Sequence, residues 1–414
     1  MSIEIVHECA AGMDISKHDA KVCVRVPGAQ AGTFSKTVTT YGSRTNEILR
    51  LRHDLEASGV TIVTMEATGD YWKPFYFLLA ETLNVELVNA KQARNIPGRK
   101  TDVSDAAWLA DLAAHGLLRD SFVPPEEIRH LRDLTRTRAN LVHERTREYA
   151  RLEKGLESSN IKLSSVTSTL STKSARRILD ALVAGERDPQ ALASLAHSSM
   201  LKKSAALVEA LTGRFTDHHA FMVRLHLERI DQIEATVALL DQRIDAVMEP
   251  FLSARELLMT IPGISKNVAN VIIAEAGVDM NVFPTAGHLA SWAGVCPGQN
   301  ESAGRVKSTR TRPGDRYLKA GLGIAAMSIS RSKTTYLAVK YRRIKSHAGA
   351  MRAIVALEHT LLVIVWNMLH DAVAYDELGI DHYDRINPGK AKQRLLRRMQ
   401  ALGFEPVLNP LSAA

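Results

Sequence analysis

Four acidic residues within the first 105 positions have the types and spacing of metal-binding carboxylates. Asp14 ends one predicted strand, and Glu66 ends another. Asp102 and Asp105 are three positions apart at the start of a predicted helix, so both face one side. Four such groups brought together would repel each other unless a divalent cation neutralised them. Oxygen ligands favour Mg²⁺ or Mn²⁺, and two such ions can promote phosphodiester cleavage.

Each of these acids also has an ordinary structural explanation. An acid at a strand end is often a turn residue, and an aspartate near a helix start often caps the helix. The ordered set of strand Asp, strand Glu and helical Asp-x-x-Asp is more specific than any one member. Lys100 suits a phosphate near the metal ions, but it fits a plain surface lysine equally well.

The segments around these acids predict a mixed α/β domain. Alternating and helical apolar patterns predict strands near residues 10–14, 22–26, 34–38, 60–65 and 85–88, and helices near 43–57, 72–82 and 102–118. The first three strands form an antiparallel meander. The order βββαβαβα is that of a ribonuclease-H-like fold, in which strand ends and a facing helix bring the acids together.

The rest of the chain is predicted to be mostly helical. Residues 126–160 and 204–248 carry apolar residues at spacings of three and four, which predicts a long helix pair or coiled coil. The Ser/Thr-rich stretch 158–173 between them predicts a loop or insertion. Apolar helices are expected over residues 268–276 and 348–374. We therefore expect four segments, namely 1–122, 123–250, 251–380 and a basic tail, 381–414.

Two features of the third segment suit a polyanion. The turn Ile261-Pro262-Gly263-Ile264 between helical stretches looks like a helix-hairpin-helix, whose amides near Gly263 can bind phosphate; the alternative is an ordinary tight turn. Residues 304–345 contain twelve Lys or Arg and one acid, Asp315. This density favours a phosphate backbone over a merely solvated basic surface. The cations are Arg305, Lys307, Arg310, Arg312, Arg316, Lys319, Arg331, Lys333, Lys340, Arg342, Arg343 and Lys345.

Ser302 lies in a predicted flexible loop, residues 297–304, that leads into this basic stretch. A serine hydroxyl can attack a phosphodiester and hold the broken strand covalently. The small neighbours Ala303 and Gly304 let a backbone approach closely. Chemistry alone does not distinguish this serine from any other loop serine.

Composition excludes several other classes of protein. The net charge of +8 and the pI near 9.3 agree with a polyanionic partner, but they are a weak signal over 414 residues. The three cysteines are far apart, which argues against a disulfide framework or a zinc site. We read no signal peptide and no apolar run of about 20 residues, so we expect a cytoplasmic protein without a membrane partner.

Several motifs in order resemble the DEDD-type insertion-sequence transposases, to which the Piv-type DNA invertases are related. The resemblance extends from about Gly12 to Trp366 and is weakest in the middle helices. The motifs that carry it are Gly12–Lys17, Met65–Gly69, Lys100–Ala106, Ile261–Ile264, Ala290–Gly294 and Ser302-x-Gly304.

The resemblance implies an enzyme that cuts and rejoins DNA. The first domain would be RuvC-like, with Asp14, Glu66, Asp102 and Asp105 as its metal ligands. Ser302 would be the nucleophile and would form a phosphoserine intermediate with DNA; Ala303 stands where the family usually has glycine. The metal centre of one subunit would meet the serine of another. The nearby cations Arg305, Lys307, Arg310 and Arg312 would bind nucleic acid.

The resemblance also implies partners other than donor and target DNA. Many are guided by a structured non-coding RNA from their own element. The long helices would serve dimerisation, and tetramers are expected on DNA.

Two other functions stay open from the sequence. A structure-specific nuclease like the Holliday-junction resolvases would need only the first domain and would use water as the nucleophile. A non-catalytic DNA-binding protein would need only the hairpin and the basic stretch. The four acids argue against the latter, because acids beside phosphate are costly without a metal ion.

Overall fold

The protein divides into two compact units, Met1–Val123 and Pro124–Ala414, in a computed structural model that describes residues 4–30, 32–66, 69–89, 105–298 and 300–405. Lys100 and Asp102 lie outside the described residues.

The first unit is mixed α/β, and the elements that the structure describes in it occur in the predicted order βββαβαβα. The strands are β1 (Ala10–Ile15), β2 (Asp19–Pro27), β3 (Phe34–Gly42), β4 (Ile62–Glu66) and β5 (Val85–Val88). The helices are α1 (Thr45–Ala57), α2 (Trp72–Leu79) and α3 (Asp105–Ala114). The observed order agrees with the predicted one because apolar residues alternate along the strands and recur at helical spacing in α1.

The five strands form one sheet in the order β3-β2-β1-β4-β5. The meander β1-β2-β3 is antiparallel, as predicted, whereas β4 runs parallel to β1 and β5 runs parallel to β4. Strand β1 is therefore central, and its carboxyl end lies beside that of β4. One face of the sheet, represented by Met13, packs with residues of α1 and α2 such as Leu51 and Phe75.

The second unit is largely helical and contains one small hairpin. Its helices up to residue 276 are α4 (Glu126–Ser158), α5 (Leu163–Val166), α6 (Lys173–Val183), α7 (Pro189–Ser194), α8 (Ser204–Leu211), α9 (Asp217–Val247), α10 (Leu252–Met259) and α11 (Lys266–Ala276). The remaining elements are α12 (Ala286–Trp292), β6 (Asn300–Ser302), β7 (Arg305–Ser308), α13 (Arg316–Arg331), α14 (Tyr336–Ala348), α15 (Ala350–Asp371), α16 (His382–Ile386) and α17 (Pro388–Ala401).

The prediction of a loop for residues 158–173 is right in part, because turns and bends surround the single helical turn α5. The stretch is nevertheless packed, since Ile161, Leu163 and Leu170 are buried in a helical core. The segment 204–248 is two helices rather than one. Helix α9 starts anew after Thr216, where the side chains of Thr216 and His219 form a capping box.

The two long helices pair with each other inside the chain. Apolar positions of α9 such as Ile230, Ile233 and Val237 are buried, and the ion pairs Arg138–Asp241 (2.5 Å) and Arg145–Glu234 (3.3 Å) link α4 to α9. The predicted apolar seam is thus already occupied. Any subunit contact made by this region has to use the outer faces of the helices.

Helix α15 is long and apolar enough to cross a membrane by length and composition alone. It packs against neighbouring helices of its unit and buries residues such as Leu357, Leu361 and Val365. A buried core helix accounts for this apolar run. The basic tail also contains an ordered element, the amphipathic helix α17.

Candidate functional site

Two of the predicted metal ligands lie at one end of the sheet. Strands β1 and β4 are parallel neighbours in the register Met13↔Met65, so the next positions, Asp14 and Glu66, lie side by side at their carboxyl ends. Adjacent strands are about 4.8 Å apart, which places both carboxylates at one edge. Asp14 is exposed and Glu66 is half-buried.

Helix α3 brings Asp105 to the same end of the sheet. Ala10 clusters with Ala113 and Ala114 near the end of the helix, whereas Gly12 lies against Ala106 near its start. The helix therefore runs antiparallel to β1, and its first residue, Asp105, points toward the carboxyl end of that strand. Because strand side chains alternate, Asp14 faces the same side as Gly12, the side covered by α3.

Gly12 is the residue that permits this close approach. A Cβ atom there would lie 2.2 Å from the Ala106 carbonyl oxygen and 2.3 Å from the Ala110 amide nitrogen. Such contacts require the helix to move, because backbone cannot yield as a flexible side chain can. The close approach of α3, and with it the position of Asp105, thus depends on the absence of a side chain two residues before Asp14.

Replacing Gly12 by alanine is expected to destabilise the protein by about 3 kcal/mol, through displacement of α3. Thermal unfolding should shift the midpoint down by roughly 10 °C. The matched control is Gly155→Ala in α4, where no neighbouring atom lies within 4 Å of the added Cβ and stability should rise by up to about 1 kcal/mol. A Gly12→Ala protein as stable as the parent would contradict the close packing.

The carboxylates have the donor chemistry of a magnesium or manganese site, since all are oxygen ligands. Among the described residues, however, no three acidic, histidine or cysteine side chains form a group close enough to hold a metal ion. The fourth acid, Asp102, lies outside those residues. The structure thus brings Asp14, Glu66 and Asp105 to one sheet edge without defining a complete ligand set.

Ser302 lies at the tip of a β-hairpin, so the prediction of a flexible loop is wrong for this part of the chain. Strands β6 and β7 pair antiparallel with Ser302 opposite Arg305. The two residues between them, Ala303 (φ +51°) and Gly304 (φ +73°), both have positive φ, as in the tight turns that join hairpin strands. Ser302 is exposed and directly precedes this turn.

The alanine at the first turn position is strained. A residue with a Cβ loses about 1 kcal/mol in the left-handed region, and glycine does not. Replacing Ala303 by glycine should therefore stabilise the hairpin by up to that amount and slow amide exchange in residues 300–308 roughly fivefold. Ala303→Val is the control, and it should speed exchange instead. Faster exchange in the glycine variant would show that the turn is not strained.

The hairpin is rooted in a narrow stem, which we define as residues 293–298 and 310–314. A Cβ on Gly314 would lie 2.1 Å from the Ala293 carbonyl oxygen, and one on Gly298 would lie 2.3 Å from the Arg310 carbonyl oxygen. The two chain segments therefore run in direct backbone contact. This close contact restrains the direction in which the hairpin and Ser302 extend from the unit.

An ion-pair network centred on the buried Glu275 holds the end of the stem. Arg136 of α4 donates to both carboxylate oxygens of Glu275 (2.8 and 2.7 Å) and to Asp315 (3.0 Å). Asp315 follows the stem directly and caps α13, accepting bonds from the amides of Tyr317 and Leu318. Glu275 is fully buried; burial raises its pKa, and the hydrogen bond from Arg136 opposes that rise. The network ties the stem to α4 and α11.

The cations near Ser302 are exposed. Arg305, Lys307, Arg310 and Arg312 are all open to solvent, and none forms an ion pair with a residue that the structure describes. Of the twelve cations in the basic stretch, only Lys319 and Lys340 are half-buried. The positive charge around the serine is therefore free to meet phosphate groups.

The predicted helix-hairpin-helix turn connects α10 to α11. Gly263 has φ +89°, and a Cβ there would lie 2.6 Å from Ile329 and 2.9 Å from the Ala325 carbonyl oxygen of α13. This glycine is thus needed for packing on α13. A role of its amide in binding phosphate stays a prediction.

Comparisons with known proteins agree with these features. Residues 11–161 match the family model of the DEDD transposase domain of the IS110 type, described as "Transposase", and residues 255–342 match the "Transposase IS116/IS110/IS902 family". The chain is 30% identical over 305 residues to the "Insertion element IS900 uncharacterized 42 kDa protein" of Mycobacterium paratuberculosis, covering 67% of this chain and 73% of that protein.

A second relative is the "Insertion element IS110 uncharacterized 43.6 kDa protein" of Streptomyces coelicolor, 29% identical over 141 residues. The match covers 33% of this chain and 34% of that protein. Together these findings define the class of the protein: it is a DNA transposase or recombinase, an enzyme that cuts and rejoins DNA. More specifically, the chain belongs to the IS110 family of DEDD-type transposases. DEDD transposases typically use divalent metal ions.

Proposed function

We propose that this transposase joins DNA strands through a covalent phosphoserine intermediate formed by Ser302. The observation that carries the proposal is an exposed serine next to the turn of a β-hairpin whose stem is held in close backbone contact, beside four exposed cations. The Ser302 hydroxyl attacks a phosphodiester, a bond forms between its oxygen and phosphorus, and the bond to the leaving sugar oxygen breaks. The leaving oxygen takes up a proton. A sugar hydroxyl of the partner strand then attacks the phosphoserine and releases Ser302, so no bond energy is lost to water.

Asp14, Glu66, Asp102 and Asp105 would hold Mg²⁺ or Mn²⁺ at the edge of a RuvC-like sheet. The strand order β3-β2-β1-β4-β5 and the antiparallel α3 support this assignment. Bound ions would stabilise negative charge on the attacking and leaving oxygens. Lys100 would bind a phosphate there. In the second unit, the cations Arg305, Lys307, Arg310 and Arg312 would bind the DNA backbone. The backbone amide of Gly263 would add a phosphate contact that does not depend on the DNA sequence.

We propose a composite site, in which the acids of one subunit act with Ser302 of another. Dimers would form through the segment 123–250, and tetramers on DNA. The domains would be 1–122 for metal binding, 251–380 for the serine hairpin and 381–414 as a basic tail. The chain would act in the cytoplasm.

The serine mechanism is tested by trapping the intermediate. The purified protein is incubated with supercoiled donor and target DNA and Mg²⁺, denatured, and digested, and DNA-linked peptides are identified by mass spectrometry. We expect DNA linked to the peptide that contains Ser302, and no linkage in EDTA. Cleaved DNA without any protein linkage would instead identify a nuclease that uses water.

We also propose that a non-coding RNA guides the choice of DNA sites. Basic surface beyond the serine hairpin, including Arg331, Lys333, Arg342, Arg343 and Lys345, is exposed and available for a second polyanion. RNA that co-purifies with the protein should be enriched in one species from the flank of its own element. Strand exchange that is unchanged after complete removal of RNA would contradict guidance.

A further inference from the structure

The serine hairpin joins its unit where the two segments of its stem touch. A Cβ atom on Gly294 would lie 2.7 Å from the Arg312 carbonyl oxygen and 2.8 Å from the Gly314 Cα atom. Gly294 has φ +73°, a conformation that favours glycine. The backbone of the first segment therefore lies directly against the second one here. A contact that holds Gly294 in place restrains both segments of the stem.

The side chain of Lys319 makes such a contact from helix α13. Its Nζ atom donates a hydrogen bond to the Gly294 carbonyl oxygen over 3.2 Å, and the side chain is half-buried. Lys319 lies one helical turn after Asp315, which directly follows the second segment of the stem and pairs with Arg136. The start of α13 therefore holds both segments, the second through the chain itself and the first through Lys319.

A buried carboxylate lies beside Lys319 on the same side of α13. Gly323 is four positions after Lys319, so both face one side of the helix. A Cβ atom on Gly323 would lie 3.3 Å from Oε1 of Glu358, a residue of α15 that is only 7% exposed. Burial raises the pKa of Glu358, and the positive charge of Lys319 opposes that rise. The two groups are thus close enough to interact electrostatically.

These surroundings distinguish Lys319 from the exposed cations of the basic stretch, such as Arg305 and Arg312. The exposed cations are open to solvent and free to meet phosphate groups. The ammonium group of Lys319 instead has a carbonyl oxygen as its acceptor and a buried carboxylate nearby. Moving it to a phosphate would leave Glu358 buried without a compensating charge, which costs free energy. The contacts of Lys319 therefore favour a role inside the protein over a role in binding DNA.

We propose that Lys319 is a positioning residue for Ser302, which fixes the direction of the serine hairpin by holding the Gly294 carbonyl oxygen. Ser302 lies at the far end of the hairpin, so a change of angle at the stem displaces its hydroxyl group from the phosphodiester that it attacks. A nucleophile misplaced by about 1 Å can lose about a hundredfold in rate. Lys319 itself contacts neither DNA nor the reacting atoms. The inference rests on the proposed role of Ser302.

The contact is tested first by amide hydrogen exchange of the full-length protein without DNA. Lys319→Met keeps the length of the side chain but removes its hydrogen-bond donor. We expect the amides of residues 293–298 and 300–308 to exchange about tenfold faster, since a hydrogen bond from a charged group is lost. The amides of α9 should exchange at the parental rate, because the unit stays folded. Unchanged exchange in the stem and hairpin would overturn the proposal.

Lys340→Met is the matched control, because Lys340 is the other half-buried lysine of the basic stretch. It removes the same charge from the same stretch and should leave exchange in the stem at the parental rate. Lys319→Arg retains a donor and should restore most of the slow exchange. Equal acceleration in Lys340→Met would show that the loss of charge is responsible rather than the contact with Gly294, and the proposal would be wrong.

The effect on the reaction is measured with supercoiled donor and target DNA and Mg²⁺, as the rate at which DNA becomes linked to Ser302. At saturating DNA, the Lys319→Met variant should form this adduct about tenfold more slowly, whereas its DNA affinity in EDTA should change by less than about twofold. Lys319→Arg should recover most of the rate. A phosphate contact would instead give weaker binding with an unchanged maximal rate, and that result would contradict the positioning role.

Failure of the serine mechanism would be recognised separately. A parent protein that cleaves DNA without forming an adduct would refute the proposed role of Ser302. Hydrogen exchange does not depend on that role, so it still shows whether Lys319 holds the stem. Ser302→Ala should therefore exchange at the parental rate in residues 293–298, because the serine hydroxyl takes no part in the contact with Gly294.

Discussion

Replacing Ser302 by alanine is expected to lower the rate of strand exchange by more than about 1,000-fold, because loss of an attacking nucleophile is among the largest single effects in enzymes. Water cannot substitute, since hydrolysis of the phosphodiester would give cut rather than rejoined DNA. DNA affinity should change by less than about twofold, because the hydroxyl is one small group among many exposed cations. Strand exchange on supercoiled plasmids and DNA binding in EDTA measure the two effects.

The matched control for this variant is Ser194→Ala. Ser194 is an exposed serine at the end of α7 whose hydroxyl donates to the Ala191 carbonyl. The control should exchange strands at the parental rate. Full activity of the Ser302 variant would remove the serine step, and full cleavage without rejoining would favour the nuclease alternative.

Replacing Asp14 by asparagine is expected to reduce strand cleavage by at least about 1,000-fold, since metal-ion stabilisation of transition-state charge is worth several kcal/mol. Asparagine keeps the shape and one acceptor oxygen but removes the negative charge. DNA affinity in EDTA should stay equal or rise, because one charge that repels phosphate is lost. Binding of Mn²⁺, followed by electron paramagnetic resonance, should weaken in parallel with activity.

Glu66→Gln should reduce strand cleavage by a similar factor. The Asp14→Asn, Glu66→Gln double variant should cleave DNA only slightly more slowly than either single variant, because ligands of one metal site act as a unit. Asp70→Asn is the control, since Asp70 follows β4 closely but is exposed and pairs with Lys73 on the surface. Undiminished Mn²⁺ binding in both the Asp14 and Glu66 variants would contradict the assignment of these acids as metal ligands.

Much of the first unit could be predicted from the sequence. Strands such as β1 and β4 carry continuous or alternating apolar residues, and helix α1 shows a helical period, so local patterns suffice to define them. Asp14 and Glu66 were expected at strand ends, and the parallel register of β1 and β4 brings their positions together. The role of these acids as ligands stays a prediction.

Other features could not be read from local patterns. The stretch 158–173 has the composition of a loop, yet three apolar residues are buried because neighbouring helices supply a core. The hairpin at Ser302 was also missed, since Ala303 is an unusual residue for a turn with positive φ. The pair Ala303–Gly304 between strands of three and four residues gives only a weak signal.

Residues that position the candidate site were missed for a related reason. In the sequence Gly12 is only part of a motif, and Arg136 and Glu275 are 139 positions apart, so nothing in the sequence links them.

The sequence by itself determined the chemistry of this protein and its local elements. The identities of the acids, the serine and the clustered cations fix what reactions the chain can perform, and periodicity fixes most strands and helices. Only the tertiary structure decided which distant residues meet: α3 against Gly12, Arg136 with Glu275, and Gly263 against α13. The physical reason is that periodicity reports the neighbours of a residue along the chain, whereas close packing, buried ion pairs and cavities depend on contacts between segments far apart in sequence.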